Sequence, residues 1–234
     1  MPLLKEEDTF AIVPVKRFEN SKTRLSPILT DGERAQLAGL MLGDTLKALA
    51  ATGVRIVVVS SDGRAKEVAD LHGATFLQQG SDSGVNSAVA LADAYCKKNG
   101  AVASIVVPQD LPLLDAKDIR RIIATAAEDE RCIVICPSVR YDGTNVLLRR
   151  PPAAIKTHYD SNSYEMHLQA ARQAGIPARV ALIERLMFDV DTPADVAELA
   201  MRVEKNKQGL SAVATSAAAQ FLAKKCRKSG GVFR

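Results

Sequence analysis

Residues 104–114 read SIVVPQDLPLL, a short apolar run that ends at an acidic residue, Asp110, between two prolines. The segment MFDVDTPADV at residues 187–196 has the same character, with Asp189 and Asp191 after an apolar stretch. In an open α/β sheet, ligands bind outside the carboxyl ends of the strands, so these carboxylates should gather there. Oxygen ligands of this kind suit Mg²⁺ that carries a phosphate-rich substrate.

Asp189 and Asp191 are the two carboxylates whose spacing most strongly indicates a metal site. Residues two apart on an extended segment face the same way, so both carboxylates can reach one cation. Neighbouring like charges cost stability unless something neutralises them, which favours a metal site. In the alternative interpretation, Asp110 only ends a strand in a turn, and Asp191 only positions the helix that follows it.

A basic loop follows the first apolar run of the chain. The segment PVKRFENSKTRL carries Lys16, Arg17, Lys22 and Arg24 between a predicted strand and a predicted helix, where anion-binding loops form. A basic loop alone is more often solvated surface. The chain contains neither a P-loop motif nor a dinucleotide-binding fingerprint. Acids for a metal together with bases for phosphates indicate nucleotidyl transfer.

Short β-branched runs alternate with helical patterns, which is the rhythm of an α/β fold. We predict strands at residues 10–15, 55–60, 74–77, 104–107, 132–136 and 178–183. We predict helices at residues 31–51, 64–71, 86–98, 116–127 and 163–173. Thr30 or Asp31 should cap the first helix, and Thr192-Pro193 should begin the last core helix. After Arg140 the rhythm breaks, and we expect a β-rich insertion there.

The chain of 234 residues can bury one large core. We predict one domain at residues 8–204 and a basic tail at residues 205–234, helical at 211–225 and frayed after residue 228. The tail holds seven Lys and Arg residues and no acid, so the net charge of +4 conceals a mildly acidic body. With only four Tyr, six Phe and no Trp, nucleic-acid binding is disfavoured.

Other classes of protein are also disfavoured. The longest apolar runs fall far short of the roughly 20 residues that a membrane-spanning helix needs. The segment MPLLKEEDTF lacks the apolar core of a secretory signal, so we expect a cytoplasmic protein without a membrane partner. Four Cys and three His show no spacing typical of a metal site.

Two further loops have open interpretations. Gly84 and Asn86 lie in QGSDSGVNSAVALA, whose backbone groups could contact a base or ribose, although a helix cap also explains Asn86. The run Asp142-Gly143-Thr144-Asn145 is, in isolation, typical of a turn.

Taken together, these segments resemble the phospholactate or phosphoenolpyruvate guanylyltransferases, which make the precursor of coenzyme F-420. The resemblance covers residues 10–200. Its most specific pieces are AIVPVKRFENSKTRLSPIL, the D-x-G-x-N loop at Asp82–Asn86, VPQDLPLL, DGTNVLLRRP and FDVDTPADV. It implies a single-domain nucleotidyltransferase fold that is Rossmann-like, with a mostly parallel sheet and helices on both faces.

The resemblance also implies an activity, namely GMP transfer from GTP to a small phosphorylated carboxylate with release of pyrophosphate. The acceptor it favours is 2-phospho-L-lactate, with phosphoenolpyruvate or 3-phosphoglycerate as alternatives. It makes Lys22 a catalytic, phosphate-binding residue, and the catalytic Asp110, Asp189 and Asp191 the Mg²⁺ ligands. The nucleotide-binding residues it implies are Pro14, Val15, Lys16, Arg24, Gly84 and Asn86. The acceptor-binding residues it implies are Thr144, Asp160 and Ser163.

The chain departs from the family pattern at one point. Many members carry F-G-x-G-S where residues 159–163 read YDSNS, so Asp160 replaces a glycine beside the acceptor. This difference bears on the acceptor more than on the reaction. Two other functions stay open: a nucleotidyltransferase acting on molybdopterin or a sugar phosphate, and a non-catalytic nucleotide-binding protein. The sequence is compatible with a homodimer.

Overall fold

The computed structural model describes residues 3–205 and 216–228 of the chain. These residues contain seven strands, eight α-helices and three short 3-10 helices. The strands are β1 (Thr9–Val15), β2 (Arg55–Ser60), β3 (Thr75–Gln78), β4 (Ala103–Val106), β5 (Cys132–Pro137), β6 (Thr144–Arg150) and β7 (Ala178–Val180). The helices are α1 (Asp31–Ala50), α2 (Gly63–Leu71), α3 (Val85–Lys98), α4 (Ala116–Thr125), α5 (Ser163–Gln173), α6 (Glu184–Met187), α7 (Pro193–Lys205) and α8 (Ala217–Lys228).

The strands form one sheet in the order β3-β2-β1-β4-β6-β5-β7. All neighbouring strands are parallel except β6, which runs antiparallel to both β4 and β5. The predicted α/β fold with a mostly parallel sheet is therefore confirmed. Because β1 and β4 are central and parallel, their carboxyl ends open onto the same edge of the sheet.

The β-rich segment predicted after Arg140 contains β6, which is part of the core sheet. Only six residues join β5 to β6, too few for a parallel crossover, so β6 returns antiparallel and lies in the middle of the sheet. Every residue of β6 is buried. Its Arg149 is neutralised by Asp93 of α3 through two hydrogen bonds of 2.7 Å. This pair lets a charged residue occupy a central strand, which the sequence pattern conceals.

Helices cover both faces of the sheet, as predicted. Alternate residues of β1 face opposite sides: Ala11 and Val13 pack in the cluster with α1, α2 and α4, and Phe10 and Ile12 pack with α3 and α5. Such burial of large apolar side chains contributes about 1.5–3 kcal/mol each. The sheet is thus a rigid base for the loops at its edge.

Helix caps set where the elements begin. Thr30 accepts a hydrogen bond from Glu33 N while its own N–H donates to the Glu33 carboxylate, forming a capping box. Thr192 Oγ1 accepts from Asp195 N at the start of α7, where Pro193 is the first helical residue. Both predicted helix starts are confirmed.

Helix α8, from the basic tail, packs on the core. Ala218, Ala219 and Leu222 are buried in one cluster with residues of α1 and α7. Asp44 of α1 accepts hydrogen bonds from Ser216 Oγ and from the first N–H groups of α8. The boundary at residues 204 and 205 stays a prediction, and the predicted fraying after residue 228 lies outside the described residues. None of the described helices is long and apolar enough to cross a membrane.

Candidate active site

A cleft of ≈ 590 Å³ lies at the carboxyl ends of β1 and β4 and the start of antiparallel β6. Most of the predicted site residues line it: Pro14, Lys16, Lys22, Arg24, Asp110, Thr144, Asp160, Ser163, Asp189 and Asp191. The predicted residues Val15, Gly84 and Asn86 lie outside the lining, next to Pro14 and Val85, which belong to it. The topology therefore brings the basic loop after β1, the carboxylates and the 159–163 loop together around one cavity.

The carboxylates meet because two loops are joined by their backbones. Asp110 lies in the loop after β4, and its carbonyl oxygen accepts a hydrogen bond of 3.2 Å from Val190 N. The predicted strand at 178–183 is too long: β7 ends at Val180, and the chain forms the short helix α6 before the extended residues that hold Asp189 and Asp191. The aspartates thus follow a helix rather than a strand.

Lys22 lies between two of the carboxylates. Its Nζ donates hydrogen bonds of 2.8 Å to Asp110 Oδ2, Asp191 Oδ1 and the carbonyl oxygen of Val190. These use all three donors of the ammonium group, and the side chain is only 5% exposed. Burial alone would lower the pKa of Lys22, but attraction to Asp110 and Asp191 outweighs it and raises that pKa. Lys22 is a fixed cation that two carboxylates share.

The backbone of Lys22 supports this placement. The residue has φ 54° and ψ 36°, a left-handed conformation that is uncommon outside glycine. It follows the turn at Phe18–Asn20 and precedes the turn at Thr23–Leu25. The backbone therefore reverses at Lys22 and directs its side chain toward the carboxylates.

Asp189 and Asp191 occupy different environments despite their spacing. Burial and repulsion from Asp110 and Asp191 raise the pKa of Asp189 to about 6, and its oxygen Oδ1 accepts from Asn145 Nδ2 at 3.3 Å. Burial also disfavours the charged form of Asp191, but Lys22 and Arg24 hold its pKa below the usual value. Arg24 is 70% exposed and lies 3.7 Å from Asp191 Oδ2. Asp189 therefore carries the charge that the protein leaves least compensated.

The carboxylates suit a divalent cation that arrives with other ligands. Within residues 3–205 and 216–228, no three His, Cys, Asp or Glu side chains lie close enough together to hold a metal ion. Mg²⁺, however, usually takes one or two carboxylates and completes its shell with water and substrate phosphates. Asp110 and Asp191 already share one cation, the Lys22 ammonium, and Asp189 is a desolvated carboxylate beside them. The donor set fits Mg²⁺ on these grounds.

Asn86 holds the loop that carries Asp160. It lies in the first turn of α3 and does not cap that helix, whose N-cap position is Gly84 with φ +86°. Asn86 Oδ1 accepts from Tyr159 N at 3.0 Å, and Asn86 Nδ2 donates to Asp160 Oδ2 at 2.9 Å. The carboxylate at the position of the family's glycine is therefore tied to a neutral amide.

Thr144 and Ser163 are hydrogen-bonded to each other in the lining of the cleft. Thr144 N donates to Ser163 Oγ at 2.7 Å, and Thr144 Oγ1 lies 3.0 Å from His167 Nδ1. Residues 142–145 are thus more than an isolated turn, because Thr144 begins a central strand. Both hydroxyl groups lie where an anionic ligand could accept from them.

Two site residues escaped prediction from the sequence. Asn145 Nδ2 donates to the carbonyl oxygens of Leu186 and Met187 and to Asp189, so it fixes the carboxylate loop. His167 is fully buried under Thr144. Its spacing of four residues from Ser163 on a predicted helix was a usable signal, because such residues share a helix face. For Asn145, the sequence contains no comparable signal.

The family model described as guanylyl transferase, CofC like, matches residues 9–211. This chain belongs to that guanylyl transferase family. A phosphoenolpyruvate guanylyltransferase of Rubrobacter xylanophilus is 38% identical over 191 residues, which are 81% of this chain and 92% of that protein. A 2-phospho-L-lactate guanylyltransferase of Methanothermobacter thermautotrophicus is 33% identical over 196 residues, 84% of this chain and 86% of that protein.

A solved structure supports the fold of this guanylyl transferase family member. A protein of Desulfovibrio desulfuricans G20, described as a nucleotide-diphospho-sugar transferase, matches it with a TM-score of 0.71 and 17% sequence identity. The match covers 94% of this chain and 96% of the other. At this identity the likeness shows the fold alone.

Proposed function

We propose that this guanylyl transferase family member transfers GMP from GTP to the phosphate of a small phosphorylated carboxylate and releases pyrophosphate, in coenzyme F-420 biosynthesis. The observation that carries the proposal is the cleft itself. Its lining contains Lys22 bound to Asp110 and Asp191, and also Thr144, whose backbone N–H is bonded to Ser163 Oγ. The relatives named above support the guanylyl donor and this class of acceptor.

In the proposed reaction an oxygen of the acceptor phosphate attacks the α-phosphorus of GTP. A phosphoanhydride bond forms, and the bond from the α-phosphorus to the oxygen that bridges to the β-phosphate breaks. Pyrophosphate leaves with that electron pair. A phosphate monoester has its second pKa near 6 and is largely dianionic at neutral pH, so no strong base is needed. Positioning and charge neutralisation are then the tasks of the protein.

The basic residues of the first loop serve the nucleotide in this proposal. Lys16 and Arg24 line the cleft beside Lys22, and Arg24 is exposed enough to reach a phosphate. Together they would neutralise the leaving pyrophosphate. Pro14 and Val85, which line the cleft, would contact the guanosine, and Val15, Gly84 and Asn86 would support them from the neighbouring positions.

Asp110, Asp189 and Asp191 would hold Mg²⁺ in this proposal. When bound, the metal supplies charge neutralisation for the reacting phosphates and for the transition state. Asn145 keeps Asp189 in place through its hydrogen bond, and Lys22 keeps Asp110 and Asp191 together.

The acceptor would lie against Thr144, Ser163 and the loop of Asp160. Ser163 begins α5, and Asn162 before it makes no side-chain cap. The first N–H groups of the helix therefore remain for an anion, which helix N-termini favour. Asn86 would hold the Asp160 carboxylate in a fixed position beside the acceptor through its hydrogen bond. Phosphoenolpyruvate, 2-phospho-L-lactate and 3-phosphoglycerate share this chemistry.

The test is to incubate the protein with GTP and Mg²⁺ plus each of the three acceptors separately, and to measure pyrophosphate and the product mass. We expect pyrophosphate release with one of them and a product with the mass of acceptor plus GMP, less water. Parallel incubations contain a sugar 1-phosphate or molybdopterin, and CTP or ATP instead of GTP. Turnover only with these alternatives would overturn the proposal, and GTP binding without turnover would indicate a nucleotide-binding protein.

A further inference from the structure

His167 is a buried histidine whose ring nitrogens both have partners. It lies on α5 and is 0% exposed. Its Nε2 accepts a hydrogen bond of 2.9 Å from the backbone N–H of His158. A nitrogen that accepts carries no proton, so the neutral ring must carry its proton on Nδ1. Burial agrees with this, because it lowers the pKa of His167 to about 3.

The protonated Nδ1 determines what the Thr144 hydroxyl can do. Nδ1 lies 3.0 Å from Thr144 Oγ1 and, as the proton carrier, must be the donor of that bond. Thr144 Oγ1 then accepts, and the hydrogen of its hydroxyl group stays available. Thr144 lines the cleft, and in the described part of the chain its hydroxyl has no other hydrogen-bond partner. The Thr144 hydroxyl is therefore set as a donor.

Ser163 is set in the same way. Its Oγ accepts from Thr144 N at 2.7 Å, so its own hydrogen is also available. Two neighbouring hydroxyl groups thus have their oxygens satisfied by protein donors. With the other His167 tautomer, Thr144 would donate to the ring and turn its lone pairs to the cleft, where they would repel an anion.

We infer that His167 is a positioning residue for the acceptor, which fixes the Thr144 hydroxyl as a hydrogen-bond donor to an anionic oxygen of the acceptor. The chain of donors runs from His158 N–H through the His167 ring to Thr144. The Tyr159 ring meets His167 edge-on with centroids 4.9 Å apart and holds its orientation. The inference rests on the proposed function, because it concerns the acceptor of that reaction.

Two substitutions separate the two bonds of His167. The amide of His167→Gln reaches the Nε2 position and keeps the acceptor for His158 N–H, but it loses the donor to Thr144. His167→Asn places its amide N–H near Nδ1 and keeps that donor. We expect His167→Gln to raise the KM for the acceptor by roughly 10- to 100-fold, the value of a hydrogen bond to a charged group. The KM for GTP should change by less than about 2-fold, and His167→Asn should recover most of the loss.

A double-mutant cycle tests whether His167 acts through Thr144. Thr144→Val removes the hydroxyl and should raise the acceptor KM as much as His167→Gln does, whereas Thr144→Ser should keep it near that of the wild type. Combined with Thr144→Val, His167→Gln should add no further increase, because the effects of interacting residues are not additive. His72→Gln, at a histidine that does not line the cleft, is the matched control. Melting temperatures report any structural loss separately.

Nitrogen NMR of the full chain with ¹⁵N-labelled histidine supplies a readout without turnover. With only three histidines, the His167 signals are identified by their loss in His167→Gln. We expect Nδ1 protonated and Nε2 unprotonated at pH 7. The opposite tautomer, an imidazolium, additive KM effects or equal rises in both KM values would each overturn the inference. If the wild type is inactive with all three acceptors, the proposed function fails and this inference fails with it. If the wild type is active and the variants show no selective effect, only this inference fails.

Discussion

The substitution Asp189→Asn should stabilise the metal-free protein, whereas Asp110→Asn or Asp191→Asn should destabilise it. The pKa of Asp189 is raised from 3.8 to about 6, and each pKa unit corresponds to about 1.36 kcal/mol. The ionised carboxylate therefore costs up to about 3 kcal/mol, which screening by solvent in the open cleft reduces to about 1–2 kcal/mol. Asp189→Asn removes this cost and keeps an oxygen for Asn145 Nδ2.

The pH dependence follows from the direction of the shift. Below about pH 4, Asp189 is protonated in both the folded and the unfolded chain, so the substitution should change stability little. Between about pH 4 and 6 the unfolded chain loses this proton while the folded protein retains it. Wild-type stability should therefore fall relative to that of Asp189→Asn across this window. The difference should be complete above about pH 6.

Asp110 and Asp191 should behave in the opposite way because of Lys22. From the sequence, removal of any one carboxylate should relieve repulsion in the metal-free protein. In the structure, the Lys22 ammonium is 5% exposed and bonded to both Asp110 and Asp191. Asparagine at either position removes a charged partner from a buried cation. We expect a loss of about 1–3 kcal/mol in unfolding free energy, the usual cost for such a hydrogen bond.

Urea unfolding of the wild type and the three variants, in a chelator and from pH 4 to 8, measures these effects. The decisive quantity is the difference in unfolding free energy between variant and wild type at each pH. A less stable Asp189→Asn at pH 7, or a gain that is equal at pH 4 and pH 7, would refute the reasoning about its environment. A more stable Asp110→Asn would show that Lys22 is not held by that carboxylate.

Three further predictions concern the cleft and the tail. Lys22→Ala should reduce pyrophosphate release by roughly 10²-fold or more, and a near wild-type rate would contradict a role in charge neutralisation. Asn86→Ala frees the Asp160 carboxylate and should raise the acceptor KM by roughly 10-fold. If the freed carboxylate is the cause, adding Asp160→Gly should return the acceptor KM toward that of the wild type, and an unchanged KM would contradict this explanation. Truncation after Lys205 removes α8, including the buried Leu222. It should lower the unfolding free energy by about 2–4 kcal/mol and leave kcat unchanged. A truncated protein that folds but is inactive would show that the tail is part of the active enzyme.

The sequence predicts most of the fold because its local signals agree with the tertiary structure. β-branched runs and capped helices alternate, and these patterns do not depend on distant residues. The sequence predicts a β-rich segment after Arg140, but the position of β6 within the sheet is not visible in TNVLLRR, because two arginines are unusual in a buried strand. Only the buried pair of Arg149 with Asp93, 56 residues away in the chain, makes a central position acceptable. Likewise the predicted strand at 178–183 ends early because Ile183 instead accepts the first hydrogen bonds of α6.

The sequence predicts which residues belong to the candidate site, but not which of their side chains bond to one another. The strand end before Asp110, the apolar stretch before Asp189 and Asp191 and the basic loop single out the carboxylates and Lys22 as candidates, because these signals lie within short segments. That Lys22 bonds two of the carboxylates depends on contacts across 88 and 169 positions. Asn145 and His167 hold other parts of the cleft in place, through hydrogen bonds to the carboxylate loop and to Thr144. Residues of that kind leave little trace in a single sequence, since their chemistry is defined by partners that folding brings together.

Lys22 differs from the other basic residues of the cleft because it is buried and bonded to two carboxylates. Its ammonium is bonded to both Asp110 and Asp191, whereas the exposed Arg24 reaches only Asp191 and is more strongly screened by solvent. Asp189 then remains as an uncompensated, partly desolvated carboxylate. A nucleoside triphosphate without a cation would bring further negative charge toward the Asp189 carboxylate. This repulsion is the charge argument for the proposal that Mg²⁺ accompanies the nucleotide into the cleft.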